Sequence, residues 1–392
     1  MSFNAGPRNA AVARILLTLA VTVAAVLGVV TATRAAGPSS TEFGATLSFE
    51  PVAGAGDVSP TAPISVTITD GELADVVLQA PGGTPVAGEL APDKQSWRVS
   101  EPLGYAKTYT WSGTATDSGG TKAPVSGSFT TVKPVDKVNV VINIGDNQVV
   151  GVAAPITIQF YGRVADRAAA QRALSVQTSN DTEGAWGWLP DSDIGSRVHW
   201  RPKEYWKPGT KVTVGAKIYG VPFGAGNFGG DDLTSVFTIG REQIVKADVR
   251  SFQMIVMRDG AQVASYPASY GLDSDPDRNT RSGIHVVTER INDKRMISQR
   301  YQYDVVVQWA VRINNNGEFI HANPATTGVQ GSSNVSHGCV NLSTNDAKAY
   351  YDSVLYGDPV EVTGSSVPLS ASDGDIWDWT LSWEQWQKLS AL

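Results

Sequence analysis

One cysteine occurs in the whole chain. It is Cys339, and it stands in the run Ser336-His337-Gly338-Cys339-Val340-Asn341. Fourteen residues separate that run from an earlier histidine, His321. A cysteine attacks as its thiolate, so something nearby must take its proton. Histidine does this near neutral pH, and folding can bring it to a cysteine that is distant in sequence. The imidazole must itself be oriented, by a carbonyl or carboxylate on its other ring nitrogen. Gly338 removes side-chain bulk where a substrate carbonyl must approach. The N–H groups of His337, Gly338 and Cys339 are candidates to bond the developing oxyanion.

Other uses of the same residues fit less well. A structural zinc site wants four protein ligands. Neither a second cysteine nor a carboxylate at ligand spacing is present, so no metal and no cofactor is expected. An inert buried cysteine is at odds with a Gly-Cys loop flanked by Ser336 and Asn341. Three of the four histidines, His285, His321 and His337, fall in the last part of the chain, and two flank the cysteine region.

These groups need a scaffold, and the chain is long enough to supply one. Its 392 residues, 42% of them apolar, suggest two or three domains with real cores. A net charge of −7 and the lack of any basic stripe argue against nucleic acid as partner. Arg8 and Arg14 precede an apolar run from Ile15 to Val30, followed by Ala32, Ala35 and Ala36. Residues 1–36 therefore read as a signal peptide or an N-terminal membrane anchor. Cleavage after Ala35 or Ala36, and membrane anchoring through residues 15–32, are both open. Either fate places the rest outside the cytoplasm, where a free thiol oxidises unless it is buried or functional.

After a linker, two stretches resemble each other. Ala62-Pro63-Ile64-Ser65-Val66-Thr67-Ile68 answers to Ala154-Pro155-Ile156-Thr157-Ile158-Gln159-Phe160, and Trp97-Arg98 answers to Trp200-Arg201. Both runs alternate apolar and polar residues, as half-buried strands do. The order repeats over about a hundred residues, the size of an immunoglobulin-like sandwich. Residues 42–134 and 136–240 are read as two such sandwiches. Neither holds a catalytic cluster, and His199 stands there without evident partners.

Residues 242–365 form a third, mostly β unit. Arg258-Asp259-Gly260 signals a hairpin, Asn316-Gly317 a turn, and Thr344-Asn345-Asp346 a helix start, with helical spacing from Ala347 to Leu355. The last stretch, 366–392, holds Trp377, Trp379, Trp383 and Trp386, with a capping box from Ser382 to Gln385. Packing of these rings against a neighbouring domain is the favoured reading. The fold class is mainly β, with one or two short helices in the third unit.

The stretch from His321 through Ser336-His337-Gly338-Cys339-Val340-Asn341 resembles the signature of the L,D-transpeptidase (YkuD) catalytic domain, over roughly residues 245–365. The tandem sandwiches and the Trp-rich tail are similar to multidomain L,D-transpeptidases of mycolic-acid-type cell walls. The resemblance implies an exported enzyme of the periplasm or cell wall. Cys339 would be acylated by a peptidoglycan stem peptide with loss of D-Ala. A second stem would then take the acyl group in a 3→3 cross-link. It further implies His321 as base and the carbonyl of Ala322 as its orienting partner. His337 and Gly338 would shape the oxyanion site, and Tyr303, Ser336, Asn316, Gly317 and Asn341 would contact substrate. Carbapenem-type β-lactams would be acylating inhibitors. The chain departs from the pattern at Thr280-Arg281-Ser282-Gly283 and in the charged lid from Glu289 to Gln302. An L,D-carboxypeptidase using water as acceptor, or a non-catalytic wall-binding protein, are the other readings.

Overall fold

The computed structural model describes residues 42–392. The expected signal or anchor segment lies outside them. No helix among the described residues is long and apolar enough to cross a membrane. The chain divides into two compact units, meeting in sequence at Lys133 and Pro134.

The first unit is a pair of four-stranded sheets. One runs in the order Thr46–Glu50, Ser65–Thr69, Ser96–Val99, Gly88–Leu90. The other is built on the long strands Gly71–Gln79 and Thr108–Asp117. Alternation turns Val66, Leu78, Trp97, Trp111 and Phe129 into the space between the sheets. Trp97 meets Trp111 edge-on at 5.3 Å.

The second unit contains another sandwich and the sheet pair that carries Cys339. In the sandwich, strand Ile156–Phe160 pairs with Arg197–Pro202, and Lys211–Ala216 pairs with Leu233–Ile239. Ile156, Phe160, Trp200, Val214 and Phe237 fill its core. Backbone and side chains tie it to the cysteine-bearing region. Gly151 N–H donates to the Tyr356 carbonyl at 2.7 Å, and Tyr205 Oη–H donates to Glu361 at 3.1 Å.

The Trp-rich tail seals the same sandwich. Trp386 is fully buried beside Leu189 and Trp377, and its Nε1–H donates to the Ala185 carbonyl at 2.9 Å. The Arg201 guanidinium lies 5.2 Å from its ring. His199, which has no evident partner in the sequence, gains one here. Its Nδ1–H donates to Asp378 at 2.9 Å, with both side chains buried. The capping box from Ser382 to Gln385 forms and opens the short helix Trp383–Gln387. Replacing Trp386 with alanine is expected to cost about 3–5 kcal/mol through the cavity left behind. Urea unfolding followed by tryptophan fluorescence would show this as a lowered midpoint; an unchanged midpoint would mean the tail is not part of the core.

Two sheets frame the cysteine. The first is five-stranded, in the order Ala261–Pro267, Gln253–Arg258, Gln243–Asp248, Pro359–Thr363, Gly283–Val286. Its first hairpin turns at Asp259 and Gly260, whose φ angles of 49° and 78° are those of a type I′ turn. The second sheet is four-stranded: Glu289–Ser298, Tyr303–Arg312, Phe319–Ala322, Val340–Leu342. Val245, Val256, Ile320, Val340, Leu342 and Val360 belong to their shared core. The charged segment from Glu289 to Gln302 is a strand and a turn. It pairs along its length with Tyr303–Arg312, and its charges pair across the ladder, Arg295 with Asp304 at 2.8 Å and Arg312 with Glu289 at 3.0 Å.

The helix after the cysteine spans Thr344–Ser353, opening at the start that the sequence marks and ending two residues short of Leu355. Ser343 caps it by accepting Asp346 N–H at 3.1 Å. It stops at Val354, which is extended. There the buried Asp358 carboxylate takes the Leu355 N–H at 2.9 Å.

Candidate active site

Two short strands bring the histidine and the cysteine together. Phe319–Ala322 and Val340–Leu342 run parallel, with His321 opposite Asn341. Side chains alternate along each strand. Ile320 and Ala322, with Val340 and Leu342, point into the core. Phe319 and His321 must then share the other face with Cys339 and Asn341. Registered neighbours in a parallel pair point the same way, so His321 and Cys339 are diagonal neighbours on one face, roughly 8 Å apart at Cα. Both strands are short runs of buried apolar residues around one polar side chain, Asn341 in one and His321 in the other. That pattern leaves the imidazole nowhere to go but this face.

His321 is buried, and its Nδ1–H donates to the Ala322 carbonyl at 2.9 Å. A carbonyl only accepts, so the proton sits on Nδ1 and the lone pair on Nε2. Burial pushes the imidazole below its ordinary range, against the opposing pull of that carbonyl. It is therefore a neutral imidazole with a fixed tautomer and a free lone pair, able to accept a proton.

Cys339 is half-buried. Its thiol donates to the Gly317 carbonyl at 3.7 Å. Burial pushes the thiol up to about 12, although the Phe319 N–H favours the thiolate; Glu318, when ionised, raises it further. At rest, then, sulfur and imidazole are both neutral. The pair is not a stored thiolate–imidazolium.

The loop before Cys339 is built to aim backbone N–H groups. Gly338 has φ of +112°, a region that side-chain-bearing residues rarely adopt. Thr280 Oγ1–H donates to the Gly338 carbonyl at 2.8 Å, and the same oxygen accepts Gly271 N–H at 2.9 Å. Because the peptide is trans, a carbonyl held toward Thr280 turns the Cys339 N–H the other way. Ser336 is buried, donates to the Cys339 carbonyl at 2.5 Å and accepts Gly338 N–H at 3.2 Å. The Gly338 N–H is thus engaged inside the loop. Among the described residues, no partner bonds the Cys339 and His337 N–H groups, so both are free to meet an oxyanion.

Aromatic rings roof the site. The Tyr301 ring lies 4.5 Å from His337 and the Tyr303 ring 5.4 Å. Burial raises the Tyr303 hydroxyl above its usual range, and Cys339 adds to it. Arg278 holds the floor of the loop through the carbonyls of Val335, at 2.7 Å, and Ser336, at 3.2 Å. Its guanidinium lies 5.9 Å from the Tyr301 ring.

Not every expected contact faces the cleft in the same way. Gly317 presents its carbonyl to the thiol. Asn316 is turned into its own loop, its Oδ1 accepting Glu318 N–H at 3.0 Å. The Asn341 backbone pairs in both directions with Ser269, at 2.8 and 3.0 Å. Tyr301, Arg278, Thr280 and Glu318 escaped the sequence reading. Only Thr280 carried a signal there, as the first residue of the segment Thr280-Arg281-Ser282-Gly283.

The chain is similar to known proteins over most of its length. Residues 242–362 match the L,D-transpeptidase catalytic domain (YkuD), and residues 55–222 match a bacterial Ig domain. The chain is 51% identical to L,D-transpeptidase 5 of Mycobacterium tuberculosis over 348 residues, covering 88% of this chain and 77% of that one. It is 40% identical to L,D-transpeptidase 2 of the same species over 343 residues, 85% of this chain and 82% of the relative. A solved structure of L,D-transpeptidase LdtMt1 in complex with imipenem aligns with a TM-score of 0.49 and 31% identity, covering 59% of this chain and all of the other.

Proposed function

The chain belongs to the L,D-transpeptidase family, and from that premise we propose that it cross-links peptidoglycan in the cell envelope through a thioester on Cys339. The observation that supports this reading is the parallel register that sets His321 and Cys339 on one face, with the imidazole proton fixed on Nδ1 by Ala322. The thiol swings from Gly317 toward Nε2 of His321, which takes its proton. Sulfur attacks the carbonyl at the L-centre of diaminopimelate in a tetrapeptide stem. The oxyanion forms against the N–H groups of Cys339 and His337. His321 returns the proton to the leaving D-Ala nitrogen as the C–N bond breaks. The side-chain amine of a second diaminopimelate then loses a proton to His321 and attacks the thioester, forming a 3→3 amide and freeing the thiol.

The acceptor is chosen by what reaches the thioester before water does. Tyr301 and Tyr303, packed over His337, cover the approach, and this favours transfer over hydrolysis. Purified protein incubated with disaccharide-tetrapeptides is expected to give dimers lacking one D-Ala, read by mass spectrometry. Shortened monomers alone would mean water is the acceptor and the chain is an L,D-carboxypeptidase. No product with intact substrate would leave only a wall-binding role.

A further inference from the structure

Behind the Gly338 turn lie two buried polar groups that the mechanism above does not use. Glu318 directly precedes strand Phe319–Ala322, and His285 lies in strand Gly283–Val286. Both side chains are almost fully buried, at 3% and 0% exposure. His285 Nε2–H donates to the Arg281 carbonyl at 2.8 Å, so its proton sits there and Nδ1 carries a lone pair. Glu318 Oε1 accepts the Arg281 N–H at 3.1 Å. The two remaining atoms, His285 Nδ1 and Glu318 Oε2, face each other at 3.6 Å, and neither has any other hydrogen-bond partner. The Ile313 carbonyl lies near the ring without completing a bond to Nδ1. Two facing acceptors in a buried site leave both unsatisfied, whereas one proton between them satisfies both.

The pair sits close to the reacting atoms. A methyl group placed on Gly338 would lie 3.6 Å from Glu318 Cγ and 3.8 Å from Oε1. A carboxylate here would oppose both the thiolate and the oxyanion. Resting on the reading of Cys339 as nucleophile, we propose that Glu318 is a positioning residue buried as the acid. It donates its Oε2–H to His285 Nδ1, and this neutral pair keeps negative charge off the wall behind Gly338 and Cys339 during attack.

The charged groups around the pair agree on where the proton lies. Arg281 stands 3.6 Å from Glu318 Oε1 and is itself paired with Asp373 at 3.0 Å. Asp373 raises both groups, while Arg281 lowers both. Burial outweighs these: it pushes the Glu318 carboxyl up to about 7 and holds the His285 imidazole down to about 4. The proton therefore belongs to Glu318, and an imidazolium beside the Arg281 guanidinium is disfavoured.

Glu318→Gln keeps the shape, a donor toward Nδ1 and an acceptor for Arg281, yet it cannot ionise. Acylation of the full chain by a carbapenem is the readout. At pH 6 the variant is expected within about threefold of wild type, and the ratio of variant to wild type should climb at least about fivefold by pH 8.5, as Glu318 ionises only in the wild type. Glu318→Leu, which leaves Nδ1 unpaired, should fall at least about tenfold below Glu318→Gln at pH 6. A flat ratio across that range, or a loss beyond about thirtyfold for Glu318→Gln at pH 6, would overturn the proposal. A second measurement needs no turnover and no variant. The carboxyl 13C shift of Glu318 in wild type should lie at the acid position at pH 6 and move to the carboxylate position above neutral pH. A carboxylate shift at pH 6 would refute the proposal. A wild type that takes up no carbapenem would instead refute the nucleophile, while the shift still decides Glu318.

Discussion

Cys339→Ala is expected to gain no mass on incubation with a carbapenem, where the wild type gains one inhibitor equivalent. The chain has a single sulfur nucleophile, so no other cysteine can substitute for it. Acylation and cross-linking should both fall by a factor on the order of 10^4 or more, as when the nucleophile of other nucleophile–base sets is removed. Folding should be nearly unaffected. Cys339 is half-buried, and its one hydrogen bond, to Gly317, is long at 3.7 Å. Intact-mass measurement beside a thermal melt separates the two effects. An adduct on the alanine variant would place the nucleophile elsewhere and end the proposed mechanism.

The neutral resting state adds a finer expectation. With the thiol pushed up to about 12, almost no thiolate exists at pH 8 before substrate arrives. The difference in ultraviolet absorbance at 240 nm between wild type and Cys339→Ala should therefore stay near zero at that pH. A clear thiolate band would show that His321 already holds the proton at rest. The protein would then store the reactive ion instead of forming it on attack.

The two groups proposed to react, Cys339 and His321, stand out in the sequence because chemistry constrains such groups tightly. A lone thiol directly after a glycine, with two histidines close upstream, has few other uses. The hairpin at Asp259-Gly260, the capping box at Ser382 and the burial of the tail tryptophans were also readable, since each rests on local backbone preference or on apolar area. What could not be read depends on pairing across the fold. His199 looked isolated because Asp378 lies 179 positions away. Glu318 lies just before a strand of one sheet and His285 within a strand of the other, and nothing in either local sequence announces the other. The segment from Glu289 to Ser298 stood out in the sequence only for its charge. Its role as a strand comes from cross-strand pairing with Tyr303–Arg312, which sets opposite charges side by side. The hydrogen bond between Gly338 N–H and Ser336 Oγ, which closes the loop on itself, has no signature in the sequence.

His321→Gln should lower acylation by roughly 10^2 to 10^4, the range that a positioned general base supplies. Glutamine fills similar space but takes no proton, so the thiol must lose its proton to water from a position far above neutral. The variant's rate should therefore rise with pH across the accessible range and keep rising above pH 8. The wild type should differ in its acid limb. Its rate falls only as Nε2 becomes protonated, and burial has moved that event below the ordinary histidine value of about 6.5. More than half the wild-type rate should then survive at pH 6.5. The same shift has a sign for stability. The unfolded imidazole binds a proton near pH 6.5 while the folded one resists it. The folded state is therefore penalised as pH falls below that value and unaffected above it. His321→Gln removes this dependence, so urea midpoints of variant and wild type should converge as pH drops from 7 toward 5 if the variant starts lower. A wild-type acid limb centred at or above pH 7 would mean that the imidazole is stabilised as the cation. In that case Ala322 would be holding an acid, not a base, beside Cys339.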